Sequence, residues 1–424
     1  MTNFPKLRNG LEALPVERAG QRLILFRDRL GYSEEPLIVS EAAAALMLHM
    51  NGETSLRDLQ ALHMRMTGIL LYMEDIEGLV EKLDEHLFLE TERFLEMAGR
   101  EVAEFRRDPV RRMQFAGKSY PAEPDALRRQ LDGYFAPEAG GPGLPRKGVV
   151  NRSLIGMVAP HIDLDAGGVC FAHAYKASVE AVAPSTWVVL GTGHEPVENY
   201  FALSRKDFET PLGPVRCDTD CCDSLIGSVP RDLLASEYNH HREHSIEFQA
   251  VFLAHLHPGA AIVPMLCSFS PDDWESDRAY IDRVAEALRD LGQNGRRPIG
   301  YIASVDLAHI GPRYGDRFRP HEATVRQHLE ADRELLECLE RCDPEGFMRK
   351  IHREQNRRRV CGMAPLYMLA KVLEGRAEGK VHCHSHAVVD QENSFVTFAG
   401  MSFHETSARA PALPADSPEG IARQ

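Results

Sequence analysis

The chain has 424 residues, 43% hydrophobic and 26% charged, which excludes the disordered and fibrous classes. Its net charge is −14 and its basic residues form only short runs such as Arg357–Arg359, which argues against a nucleic-acid partner. No apolar run reaches the ~18 residues a membrane helix needs, and the N-terminus lacks a signal-peptide pattern. A cytoplasmic protein with no membrane partner is expected. The nine cysteines are odd in number and irregularly spaced, which fits reduced thiols better than a disulfide framework.

Residues 1–100 stand apart from the rest. Ser40 is placed to cap a helix through AAAALMLHM, Gly52 marks a turn, and Thr54-Ser55 is placed to cap a second helix. A third apolar-periodic run covers Met73–Leu87 and leads into HLFLETERF, which is expected to be a strand. The pattern resembles a small, mainly helical winged-helix domain of the peptide-binding, PqqD-like kind. A plain helical dimerisation or docking module is the other reading. Residues 101–112 lie in the charged stretch Thr91–Arg112 and are expected to connect this module to the remainder of the chain, partly as a helix solvated on one face.

The segment 115–135, FAGKSYPAEPDALRRQLDGYF, ends in an amphipathic helix that starts near Pro124. A Pro/Gly-rich loop comes next at 136–148. Apolar strand candidates then lie at 152–160, 186–192, 260–267, 298–305 and 395–402, with helical patterns at 244–256, 277–292, 321–340 and 362–374. Buried strands alternating with helices predict a three-layer α/β/α domain with a largely parallel or mixed sheet. The Ala/Pro/Ser-rich stretch 405–424 is expected to be a disordered tail.

Polar residues concentrate just past the strand candidates. The first runs into His161 (APHID), the second into His194 (LGTGHEP) and the fourth into Asp306 and His309 (SVDLAHIG). Ligands of open α/β sheets bind beyond the carboxyl ends of the strands, so parallel strands would bring these residues to one rim. In NHHREHSIEFQAVFLAHL, His244 falls near the start of a helix, where the helix dipole favours the neutral imidazole of a base or ligand. His240 is four residues earlier, a spacing that a zinc pair or a simple loop role would both satisfy. Cys361 immediately precedes a helical run, where a thiol ionises more readily and can bind metal or attack; a buried, inert thiol is the alternative. Cys217, Cys221 and Cys222 in CDTDCC are expected to span a strand end and helix start. His382, His384 and His386 alternate, so on a strand they share one face; an exposed edge strand explains them more simply than a second metal patch.

APHID with HAYKA after it, VVLGTGHEP, ETPLG, EHSIEFQ, SVDLAHIG and VCGMAPLYML stand here in one order. FAGKSYPAEPDALRRQL precedes them. This set resembles the Memo family, which includes protein B of the AmmeMemoRadiSam system and is similar in fold to class III extradiol dioxygenases. The similarity spans about residues 113–404. The resemblance implies metal ligands at His161, His194 and Cys361, with His244 lining the site and Asp306 and His309 near its rim in catalytic roles. It departs from the family at PHID for PHAG and at GHE for SHH, where Glu195 replaces a His; Glu195 either supplies the site with a carboxylate the family lacks or is a solvated loop residue, the second being the expected role. Two imidazoles and a thiolate suit Fe(II) first, with Cu or Zn as alternatives, and leave positions open for water, O₂ or substrate. The implied activity is a dioxygenase-like, non-haem iron oxidoreductase acting on a small molecule or peptide. Because the family's extradiol relatives use a carboxylate where this chain has Cys361, ring cleavage itself is not expected. A non-catalytic metal-binding scaffold that partners a radical-SAM enzyme, or a zinc hydrolase, are the competing readings.

Overall fold

The strand Thr186–Thr192 has all seven residues buried. Val188 and Leu190 lie in one apolar core, Trp187 and Val189 in another. Side chains alternate across a strand, so a strand apolar at every position requires cover on both faces. In the computed structural model, which describes residues 2–18, 20–28, 30–33, 35–150, 152–294 and 297–406, the chain divides into two compact units, Met1–Arg111 and Arg112–Gln424.

The second unit holds a nine-stranded mixed sheet. Leu154–Ala159, Ile299–Ser304, Thr186–Thr192 and Ala261–Cys267 form its parallel centre. Antiparallel strands flank it: Phe395–Glu405 beside Leu154–Ala159, and Phe201–Leu203 beside Ala261–Cys267. Helices Pro124–Gly133, Leu164–Glu180 and His244–Leu256 bury apolar faces in one core. Helices Arg278–Asn294, Glu322–Glu340, Pro344–Arg353 and Met363–Leu373 contribute to the other. This is the expected three-layer α/β arrangement, and the five anticipated strands lie within a few residues of their predicted bounds. The strand Ala377–Val388 carries His382, His384 and His386, whose alternation suggests an edge strand. Among the described residues it pairs only with Phe395–Glu405, along an edge, and carries a bulge between Val381 and Cys383.

Among the described residues the first unit has four helices, at Glu41–Met47, Leu56–Thr67, Met73–Glu85 and Glu92–Arg107. Ser40 caps the first and Ser55 closes a capping box on the second, as their positions predict. A three-stranded antiparallel sheet precedes them, Leu11–Arg18, Gln21–Asp28 and Leu37–Ser40. HLFLETERF is not a strand. Leu89 makes one isolated bridge to Leu7; Thr91 then accepts from the Phe94 amide and starts the last helix, because Thr at this position satisfies an otherwise orphaned helix donor. That helix, over most of the stretch read as a connector, belongs to the first unit. Of the expected tail, Glu405 closes the last strand, and residues 407–424 lie outside those described.

Candidate metal centre

Three parallel strands deliver the site. His161, His194 and Asp306 each stand two residues beyond their strand's last residue, Ala159, Thr192 and Ser304. Adjacent parallel strands of similar end-point therefore set the three side chains together. Cys361 arrives from elsewhere, just before the helix Met363–Leu373. Its neighbour Gly362 runs against the Asp306 main chain: a Cβ there would sit 2.4 Å from Val305 Cβ and 2.8 Å from Asp306 O. The Gly362 amide donates to that same carbonyl at 3.2 Å. Only glycine allows the approach that places Cys361.

One donor atom each from His161, His194 and Cys361 lies within 4.8 Å of the others. Cys361 Sγ is 3.4 Å from His161 Nε2. The His161 and His194 rings are 5.0 Å apart, and His244 stacks on His194 at 4.8 Å. Bonds of about 2.0–2.3 Å to a central ion put donors about 3–4 Å apart, so a small inward adjustment seats a cation.

Both imidazoles are held in one tautomer. His161 Nδ1 donates to the Ser304 carbonyl at 2.9 Å, and His194 Nδ1 donates to the Glu243 carboxylate at 3.0 and 3.1 Å. The lone pair then belongs to Nε2 in each neutral ring. Such outer partners fix ring orientation and raise ligand basicity. Glu243 was missed by sequence reasoning; the available signal was a carboxylate one residue before a helix start. It also accepts from the His194 amide at 3.2 Å and from Ser245 N at 2.9 Å, and pairs with His244 Nδ1 at 3.2 Å. His194, Glu243 and His244 form a second group of clustered donors.

The surrounding charges act on the same atoms. Burial opposes ionisation of Cys361, but His309 and His194 beside it outweigh burial and hold the thiol below its ordinary value. Burial likewise opposes a charge on His194, while Glu243 and Cys361 raise its pKa to about 10. These are two ends of one thiolate–imidazolium interaction. Burial works against Glu243 too, yet His194 and His244 hold its carboxyl well below the usual range. Burial lowers His161 in spite of Asp306.

Asp306 is buried, and burial pushes it up to about 6 against the pull of His161. Its Oδ1 accepts the His161 and Ile162 amides at 3.1 and 3.2 Å, so it fixes the turn that carries His161. His309 donates Nδ1–H to the Leu307 and Arg359 carbonyls, both at 3.1 Å; burial depresses its pKa. The His194 and His244 side chains are 26% and 31% exposed, against 2% for His161, so solutes reach the centre from the His194–His244 side.

The remaining motif residues build the floor. Ser245 Oγ donates to Thr192 O at 3.0 Å. Gln249 Nε2 donates to Pro160 O and to Ser304 Oγ, both at 2.7 Å, and Tyr175 donates to Gln249 Oε1 at 2.9 Å. Buried Glu247 accepts from the Gln114 and Phe115 amides and the Tyr120 hydroxyl, which anchors FAGKSYP beneath the centre.

Other anticipated residues go elsewhere. Glu195 is half-buried, with Oε1 out of contact with solvent, which corrects the expected solvated role; Asn239 Nδ2 donates to Pro196 O at 2.9 Å and ties that loop down. His240 Nε2 bonds Ala202 O at 2.9 Å, a structural loop role. Cys217 closes a short strand and Cys221 and Cys222 open a helix, as expected. His382 bonds Ser402 Oγ and His384 faces Asp332, while His386 packs on Phe395. Their edge strand is half-buried rather than exposed, and none of the three joins a donor group among the described residues.

Comparison with known proteins gives consistent matches. The family described as Memo-like protein matches residues 111–402. A MEMO1 family protein of Aquifex aeolicus is 27% identical over 380 residues, covering 89% of this chain and 95% of its own. One of Methanopyrus kandleri is 30% identical over 272 residues, covering 63% and 88%. One of Thermus thermophilus is 28% identical over 337 residues, covering 79% and 94%. A match over 89% of this chain cannot fit within residues 111–402, so the Aquifex similarity takes in part of the first unit.

Proposed function

This chain belongs to the Memo family, and from that premise we propose that its second unit is a mononuclear metal-binding oxidoreductase, with iron the first candidate ion and copper or zinc the alternatives. His161 Nε2, His194 Nε2 and Cys361 Sγ hold the ion. The observation that carries this is the gathering of those three donors within 4.8 Å, with both imidazole Nδ1 atoms bonded outward. A cation held there supplies Lewis acidity and, if iron or copper, one-electron chemistry.

The chain's own residues do the rest. Glu243 and Ser304 O orient the ligand rings, and Asp306 holds the His161 turn. His244, stacked on His194 and partly exposed, is placed to pass a proton at Nε2 while Glu243 keeps Nδ1 protonated. His309, its Nδ1 tied to carbonyls, has Nε2 as its proton-accepting atom. The substrate is a small molecule or peptide entering over His194 and His244. For the first unit we propose a peptide-binding or partner-docking role, a radical-SAM enzyme being the expected partner. The exposed apolar residues Ile69, Leu70 and Tyr72 support a binding surface there.

The test is the metal content of anaerobically purified protein, wild type and His161→Ala, His194→Ala and Cys361→Ala. About one equivalent in the wild type and loss in all three variants are expected, with O₂ consumption by the iron-loaded protein. Absent or retained metal overturns the ligand set; metal without O₂ consumption overturns the oxidoreductase assignment in favour of a scaffold or hydrolase.

A further inference from the structure

Negative charge prevails in this chain, yet residues 341–359 carry seven Arg and Lys (341, 349, 350, 353, 357, 358 and 359) against three Asp and Glu (343, 345 and 354), a local excess of four where the whole chain stands at −14. The metal centre uses the side chains of none of them. Most line two adjoining cavities. One, of about 790 Å³, is bordered by His328, His352, Arg353, Arg357 and Arg358. The other, of about 630 Å³, shares His352 and Arg353 and adds Arg341, Arg349 and Lys350. Each is of the size that takes a small organic ligand.

The wall of the larger cavity has a fixed donor. Arg358 is 7% exposed. Buried Asp332 takes its Nη1, and Glu354 takes its Nε at 2.8 Å. The two carboxylates lock the guanidinium plane, while Nη2 is buried with no hydrogen-bond partner. His328 Nδ1, in the same wall, is likewise buried and unpartnered. A buried, unpaired polar group costs free energy comparable to a lost hydrogen bond, and two in one wall point to a ligand that satisfies them. At the rim, Arg357 is exposed, and among the described residues its side chain bonds the Gln355 amide oxygen and makes no ion pair.

We propose that this trough is a binding site for a phosphorylated small molecule, its phosphoryl group held by Arg353, Arg357 and Arg358. A locked guanidinium flanked by exposed ones suits a tetrahedral dianion with three acceptor oxygens better than a planar monoanionic carboxylate. Asp272 and Glu354 in the same lining limit the attraction to a compact anion, since an extended polyanion meets carboxylates along the trough. The site is separate from the metal centre but connected to it: Arg358 O accepts the His309 amide at 2.8 Å, and Cys361 comes three residues later. Phosphoryl binding in this trough does not depend on metal binding.

Isothermal titration of the full chain with inorganic pyrophosphate and, separately, succinate, at constant ionic strength, tests it. Saturable pyrophosphate binding is expected, weakened at least tenfold in Arg353→Ala/Arg357→Ala and less in Arg357→Lys, which keeps the charge but loses the fork. Both rim positions are exposed, so these variants keep their fold. His161→Ala is expected to bind as wild type, which separates this trough from the metal centre. No saturable binding, equal binding of succinate, loss in His161→Ala, or equal loss in Arg319→Ala, whose arginine pairs with Glu392 outside the trough, overturns the proposal.

Discussion

Replacing Glu243 by Gln asks whether one buried carboxylate builds the centre. Glu243 accepts from Ser245 N, from the His194 amide and, with both oxygens, from His194 Nδ1. Gln preserves the volume and one acceptor oxygen, enough for the Ser245 amide and hence for the helix cap. Its NH₂ can only donate, so it cannot take the second contact of Nδ1–H, and the charge that fixes the tautomer is gone. Losing a carboxylate behind a ligating His typically weakens metal affinity about 10- to 100-fold, or about 1.4–2.8 kcal/mol. Competition of wild type and variant for Zn²⁺ or Fe²⁺ against a chromophoric chelator, without O₂, measures this. Glu195→Gln should bind as wild type, because Glu195 belongs to neither donor group. Affinity of Glu243→Gln within about twofold of wild type, well below the range expected for such a partner, would refute the orienting role.

Glu247→Ala should cost about 3–5 kcal/mol in urea unfolding, since it strands the Gln114 and Phe115 amides and the Tyr120 hydroxyl; a loss under about 1 kcal/mol would show that water replaces the carboxylate. Gly191→Ala should destabilise by about 1–3 kcal/mol and impair metal binding, because a Cβ there meets Ile246 Cγ1 at 2.6 Å and Ser245 Oγ at 2.7 Å just before His194; unchanged melting and metal content would contradict the packing. Burial lowers His257 to about 4. The unfolded chain therefore takes up a proton as pH falls below about 6.5 while the fold resists until about 4, and stability declines across that window. Between pH 7.5 and 5 this residue's share, reduced for partial exposure, is about 1–2 kcal/mol; His257→Gln should flatten the pH dependence of the urea midpoint by that amount, and an unaltered slope would remove His257 as a cause.

Much of the fold was legible because buried strands announce themselves. Leu154–Ala159, Thr186–Thr192 and Ile299–Ser304 are apolar runs of the right length, and their ends needed no tertiary knowledge to place His161, His194 and Asp306 on one rim. The first unit's hairpin was not legible. Leu11–Arg18 and Gln21–Asp28 are mostly half-buried or exposed, so their pattern lacks the clean alternation that marks a strand. HLFLETERF misled because its apolar first half satisfies strand propensity, while Thr91 caps a helix only once the preceding chain has turned away. The edge strand Ala377–Val388 was legible only as the alternation of His382, His384 and His386; its full extent rests on pairing with residues about 7 to 28 positions later, which propensity does not register.

What the sequence could least disclose is the direction in which a polar residue faces. Asp306 and His309 sit near the rim in SVDLAHIG and read as reagents. In the fold, Asp306 spends Oδ1 on two amides and His309 spends Nδ1 on two carbonyls, so both hold main chain in place whatever else they do. Glu243, Glu247 and Gln249 read as ordinary helix residues. Each reaches a different segment: Glu243 the His194 loop, Glu247 the Gln114–Tyr120 segment, Gln249 the Pro160 carbonyl and Ser304. One short motif therefore fixes the relative positions of three strand ends and the segment beneath them. Buried polar groups are costly unless fully paired, and these are paired across chain separations of 49 to 133 residues. Such a network leaves the rim few alternative arrangements, and a centre assembled from separate strands needs that constraint if its donors are to meet within a bond length of one ion.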